Sequence, residues 1–308
     1  MKTNALAVSL LIALVSIVVA PVARAQSSPA QIASLEVGDG PEAVAFDGAN
    51  IWVANQFSNT VTKVSIGADA ALATYSVGKR PIALAFDGAN IWVANYLNNN
   101  VIKLRASDGA KLATFAAGDG PGGLTFDGTN IWVANRNSNN VTKLRASDGL
   151  NLGTFAVGTR PMAIAFDGTN IWVTNNFSNT VTELRASDGI AIGSYPVGQG
   201  PFGIAFDGAH LWVANFFGKN LMKLATDGAV IEQVAVGDGP AGVTYGGTYI
   251  WVANNGSNTV SKVEPKGNTV VNTIGVDRGP FGVVFDGTNV WTASTGTGTI
   301  SKVKANQP

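Results

Sequence analysis

A single period constrains this chain more than anything else in it. The seven tryptophans, Trp52, Trp92, Trp132, Trp172, Trp212, Trp251 and Trp291, follow one another at 40, 40, 40, 40, 39 and 40 residues. A fixed repeat of about 20–50 residues marks one supersecondary unit copied along the chain, each copy burying its apolar surface only against its neighbours. Every tryptophan sits in the same short frame, so the unit is read once and applied seven times.

The third repeat shows the unit most cleanly: Pro121 to Asp127, Gly128-Thr129, Asn130 to Asn135, a loop, Val141 to Arg145, a turn at Ser147-Asp148-Gly149, and Leu150 to Val157. This predicts four strands per repeat. The pairs Asp47-Gly48, Asp87-Gly88, Asp127-Gly128, Asp167-Gly168, Asp207-Gly208 and Asp286-Gly287 fall between the first two strands, where a hairpin turn needs a residue of positive φ. In the first strand Val44 and Phe46 share one face and Ala43 and Ala45 the other, a large/small division repeated at Leu84/Phe86 against Ala83/Ala85. A strand apolar on both faces is buried on both, and a bulky face nests on the small face of the next unit. The second strand, Ile51-Trp52-Val53-Ala54-Asn55, is also apolar on both faces, the third alternates, and the fourth varies most. That gradient orders the strands from axis to rim of a radial array.

The two ends settle how the array closes. Residues Gln31 to Val37 match the fourth strand of the unit, whereas the last repeat stops after its third strand, Ile300 to Val303. The expected fold is all-β: a seven-bladed β-propeller of four-stranded antiparallel blades over residues 31–304, with the N-terminal strand as outer strand of the last blade. Closure removes free sheet edges. A linear solenoid would need capping repeats at both ends.

The first 25 residues read as a signal peptide: Lys2, an apolar run from Ala5 to Ala20, Pro21, and a small-x-small site at Ala23-Arg24-Ala25. Residues 26–30 form a polar lead-in expected to be disordered, and residues 305–308 a C-terminal tail. The protein is therefore expected in the periplasm or outside the cell, a monomer without stable membrane insertion after cleavage. Zero Cys excludes disulfides, thiolate metal sites and cysteine nucleophiles. The 20 basic and 20 acidic residues cancel, so no nucleic-acid footprint is visible.

Ile51-Trp52-Val53-Ala54-Asn55 followed by Ser58-Asn59-Thr60-Val61, and Ile171-Trp172-Val173-Thr174-Asn175 followed by Ser178-Asn179-Thr180-Val181, resemble the YVTN β-propeller repeat family. The resemblance implies the propeller fold and a cell-surface or periplasmic setting, and leaves activity open. The architecture is also similar to that of the streptogramin B lyases, seven-bladed enzymes that use His and Glu residues with a magnesium ion. This chain has one histidine, His210, which aligns with Asn50, Asn90, Asn130, Asn170 and Asn289 just after the first hairpin turn. That is the end opposite the expected active face.

Residues identical in every blade are explained by the fold, so function is sought where the symmetry breaks. The Asp-Gly loops offer one carboxylate each, whereas calcium takes about six to eight oxygens. Gly38-Asp39-Gly40 and its copies lack the helix that a phosphate loop requires. No catalytic residue, metal site or cofactor is expected. Variation clusters in the loops entering the first strand and joining the second to the third, which share one face, the top. There the candidate ligand-binding residues are Lys79, Arg80, Arg136, Arg160, Phe177, Phe202, Phe216 and Phe217, with Asp39, Glu42, Asp238 and Asp277 placed on an opposing acidic side. The expected function is an exported binding or interaction scaffold holding a small molecule, glycan or protein on the top face at the central channel. The alternatives are a streptogramin B lyase-like enzyme and a structural cell-surface component.

Overall fold

The structure, a computed structural model, describes residues 31–305. The signal segment, the polar lead-in and the last three residues lie outside them. Twenty-eight strands form seven four-stranded antiparallel sheets. Blade 1 consists of β2 (Pro41–Phe46), β3 (Asn50–Asn55), β4 (Thr60–Ser65) and β5 (Ala70–Ser76), and the pattern repeats up to blade 7 with β26 (Pro280–Phe285), β27 (Asn289–Ser294) and β28 (Thr299–Lys304). The outer strand of blade 7 is β1 (Gln31–Glu36), which pairs with β28 in the order β1-β28-β27-β26. Among the described residues no helix is long and apolar enough to cross a membrane.

The large/small complement is what joins the blades. Ala43, Ala45, Trp52 and Ala54 of blade 1 pack on Leu84, Phe86, Ile91 and Val93 of blade 2, and equivalent clusters recur around the ring. All seven tryptophans are fully buried. The 39-residue step has a local cause: the turn after the third strand of blade 5 is Ala225-Thr226-Asp227-Gly228, one residue shorter than Arg185-Ala186-Ser187-Asp188-Gly189.

Each hairpin aspartate does more than turn the chain. Asp127 Oδ1 accepts the backbone N–H groups of Thr129 and Asn130 at 2.9 and 2.6 Å, and Oδ2 accepts Trp132 Nε1–H at 2.7 Å. The same indole-to-carboxylate bond, 2.7 Å, recurs at Trp52, Trp92, Trp172, Trp212 and Trp291. Burial pushes these carboxyls up, but the hydrogen bonds outweigh it and hold Asp47, Asp87, Asp127, Asp207 and Asp286 below the usual range. Blade 6 departs: Trp251 donates to the Gly246 carbonyl at 3.3 Å, and the Phe285 ring lies where a side chain at 246 would stand.

A second device ties blades 1, 2, 3, 5 and 7 each to the next. Lys63, Lys103 and Lys143 lie over Trp52, Trp92 and Trp132 at 5.0–5.2 Å, and each donates at 2.7 Å to a turn carbonyl of the following blade, Ala106, Ala146 and Ala186. Lys223 and Lys302 lie likewise over Trp212 and Trp291 and donate to the carbonyls of Pro265 and Ile66 at 2.8 and 3.3 Å. Blade 4 carries Glu183 here instead, bound to Tyr195 Oη and Asn170 Nδ2 at 2.8 and 2.7 Å, its carboxyl pushed up by burial. Glu183→Lys is expected to restore the clasp onto the Ala225 turn. A charge-assisted bond is worth about 1.5–3 kcal/mol, partly offset by the two bonds lost, for a net gain of about 1 kcal/mol. A melting temperature about 2 °C above the parent would show it, and a lower one would refute the clasp.

Candidate functional site

The inner strands line the channel, and a local irregularity aims one residue per blade into its top. In blade 1 the β2–β3 ladder pairs Pro41 with Asn55 and Ala43 with Ala54, leaving Glu42 without a partner; the same shift occurs in every blade. An unpaired bulge residue turns out of the sheet alternation. The residues at this position, Glu42, Ile82, Gly122, Met162, Phe202, Ala241 and Phe281, all line the channel. It is the position of the inner strand whose side chain changes most in kind, from glycine to glutamate to phenylalanine.

Blade 3 supplies glycine at this position, and Arg136 uses the space. A Cβ on Gly122 would lie 2.1 Å from Arg136 Nε. The Arg136 side chain, 11% exposed, folds over Gly122, donates through Nη2 to its carbonyl at 3.2 Å, and reaches Glu42 Oε1 at 3.8 Å. Its Nε is buried without a partner. Burial, eased by the nearby Glu42 carboxylate, holds its guanidinium below the ordinary arginine value. Tyr96 and Phe202 flank it, each ring centre 5.9 Å from the guanidinium carbon.

Arg80 and Arg160 reach the same mouth from the turns preceding Pro81 and Pro161. Both have φ of 56°, in the left-handed region, and the five equivalent positions are Gly40, Gly120, Gly200, Gly239 and Gly279. A left-handed non-glycine residue costs about 1–2 kcal/mol. Asn59 and Asn139 accept the backbone N–H groups of Arg80 and Arg160 at 2.9 and 2.8 Å. Arg80 donates from Nε to Gln56 Oε1 at 3.2 Å and stacks on Tyr96 at 5.1 Å, while Arg160 lies 4.5 Å over Phe177.

A recess of about 310 Å³ is lined by Glu42, Arg80, Arg136, Arg160 and Phe202 among others. A second, of about 330 Å³, shares Arg136 and Arg160 and adds Tyr96 and Phe177. Phe216 lies 6.0 Å from Phe202 and 5.3 Å from Phe217, and Phe217 is 65% exposed. Arg80, Arg136, Arg160, Phe177 and Phe202 are thus brought to adjoining recesses, Phe216 and Phe217 stand beside them, and Lys79 is exposed and lines neither. Sequence reasoning placed Glu42 on an opposing acidic side; the bulge turns it inward against Arg136 instead. It also left out Gln56 and Met162, whose signal was their departure from the repeat at channel-facing positions.

His210 lies at the far end of its blade, its backbone N–H bound to Asp207 Oδ1 and its Nδ1 3.6 Å from Asp207 Oδ2. Groups of three or more metal-ligating side chains are not found among the described residues.

Comparison with known proteins fits this geometry at the level of the fold. No family model matches the chain, and no curated protein matches it by sequence. Among solved structures it is similar to a streptogramin B lyase (21% identity, TM-score 0.76, covering 88% of this chain and 96% of that one). It is likewise similar to virginiamycin B lyase from Staphylococcus aureus (18%, 0.77, 88% and 98%) and to Kuenenia stuttgartiensis hydrazine synthase (17%, 0.77, 87% and 96%). At these identities the likeness establishes a streptogramin B lyase-like seven-bladed propeller architecture.

Proposed function

We propose that this chain, a YVTN-type repeat propeller exported by its N-terminal segment, is a periplasmic or extracellular binding scaffold. Its ligand sits at the top mouth of the channel and carries an anionic group on an apolar or sugar-like body. One observation carries the reading: two blades give up the glycine that the other five use at a left-handed position, and put an arginine there facing the mouth. Backbone strain retained where side chains converge is characteristic of binding sites. The guanidiniums take the anion, and Tyr96, Phe177 and Phe202 offer ring faces to the body.

A lyase reading is favoured by the architecture alone. The S. aureus virginiamycin B lyase with quinupristin is described as catalytically inactive after a histidine-to-alanine change. The single histidine here stands at the opposite end of blade 5 from the mouth.

The double variant Arg80→Gly, Arg160→Gly tests the proposal. Relief of two left-handed residues offsets the lost ring contacts and the added freedom of glycine in the unfolded chain, each about 1 kcal/mol, so the melting temperature should stay within about 2 °C of the parent. In a thermal-shift panel of aryl and sugar carboxylates, sulfonates and phosphates, the parent should be stabilised and the double variant not. Equal ligand shifts in both proteins would place the binding elsewhere.

A further inference from the structure

Glu42 has no role in the fold that explains it. It is buried to 7% exposure at a position that is apolar or glycine in the other six blades, and it meets Arg136 only at 3.8 Å, beyond hydrogen-bond length. Arg136 Nε, the adjoining donor, is left unpaired. Two adjacent groups, each satisfied only in part, form a poor ion pair, although burying charges is expensive unless the pairing is good. The arrangement makes sense if Glu42 is a stand-in that holds Arg136 until a better anion arrives.

We propose that the mouth captures its anion by proton-coupled exchange: the ligand's anionic oxygens take the Arg136 Nε and Nη2 donors, and the Glu42 carboxylate, losing its counter-charge, takes one proton from solvent. The inference rests on the binding reading above and adds its regulation. The reason for the exchange is local, in the charges that meet at Arg136. From blade 2 the recess receives Arg80, from blade 3 Arg136 and from blade 4 Arg160, whereas Glu42 is its one carboxylate. Blade 1 otherwise contributes neutral Gln56, and blades 5 to 7 contribute only neutral side chains, Phe202, Asn255, Phe281 and Thr295. The ligand-free mouth thus holds three cations and one anion. A second anion beside Glu42 would place two like charges against a shared guanidinium in a partly dry cavity, which raises the affinity of one of them for a proton. Burial already pushes the Glu42 carboxyl up against the pull of Arg136 and Arg80, the same direction in which a second anion would push it.

The sign follows from linkage. If Glu42 holds a proton more strongly in the complex than in the free protein, binding takes up a proton and affinity rises as pH falls through the window between the two values. A coupling of about one pKa unit makes this about tenfold.

Naphthalene-2-sulfonate is a suitable probe, because it remains a monoanion at every pH used and carries a flat apolar body. Isothermal titration at pH 5.0 and 7.5, in buffers of different ionisation enthalpy, should show about tenfold tighter binding at the lower pH, with uptake peaking at about half a proton inside the window. Glu42→Gln should bind at pH 7.5 about as tightly as the parent at pH 5.0, with no proton uptake. A parent that binds the sulfonate with equal affinity at both pH values and no proton uptake overturns the exchange and leaves the binding site standing. So does a Glu42→Gln variant that keeps the parent's pH dependence. A sulfonate that binds neither protein at either pH overturns both.

Discussion

Removal of residues up to Val37 is expected to open the ring. The strand β1 contributes the whole β1–β28 ladder, from Gln31↔Val303 to Glu36↔Thr299, and the Val37 N–H to Gly298 carbonyl bond at 3.0 Å. Leu35 and Val37 pack on the cluster formed by Ile51, Val53, Val64, Trp291 and Ile300, which joins blade 7 to blade 1. Hydrogen bonds at about 1 kcal/mol each and two partly buried aliphatic side chains put the loss near 5 kcal/mol. That is comparable with the whole stability of an ordinary domain. The truncated chain also exposes the unpaired edge of β28, a template for association with other chains. Calorimetry should show a broadened transition at least 10 °C lower, and size-exclusion chromatography should show oligomers; a peptide spanning residues 31–37 should reverse both. A truncated protein that melts as sharply and as high as the parent would disprove closure by β1.

The second large effect concerns the hairpin aspartates. Asp127→Ala removes the acceptor for two backbone N–H groups and leaves the indole N–H of Trp132, in a fully buried ring, without a partner. An unsatisfied buried donor costs about 1–3 kcal/mol, and the lost turn bonds add to it, so a loss of about 3 kcal/mol is expected. Asp127→Asn should be nearly as harmful if its amide nitrogen faces the indole, since donor then meets donor.

The same bonds set an acid limit. Five of these carboxyls are held below the usual range. Their contribution is complete above the ordinary Asp value of about 3.9 and is lost as pH falls through the lowered folded values. Melting temperature should be nearly flat from pH 7 to 5 and fall steeply below about pH 4. The fall should be shallower in Asp127→Ala, which has one such group fewer. An Asp127→Ala variant within 1 °C of the parent at pH 7 would sink the account.

These aspartates also show where sequence reading stopped. From Asp-Gly at a fixed offset a hairpin turn with positive φ was legible, and Gly48, Gly88 and Gly128 adopt φ of 93–95°. That the same carboxylate also holds the tryptophan five residues on was not, because the bond depends on side-chain direction across the strand and not on spacing alone.

The sequence by itself determined the period, the four strands, the number of blades, the large/small faces and the strand that closes the ring. All of these follow from local register and from counting strands at the two ends, and neither requires knowing how far one blade lies from the next. Only the tertiary structure decided what meets across blades. Lys63 reaches Ala106 of the next blade, and Glu42 of blade 1 meets Arg136 of blade 3, because ring curvature and the bulge after Pro41 set those distances. A repeat unit encodes its own hairpins; the mouth of the channel exists only once seven of them have closed.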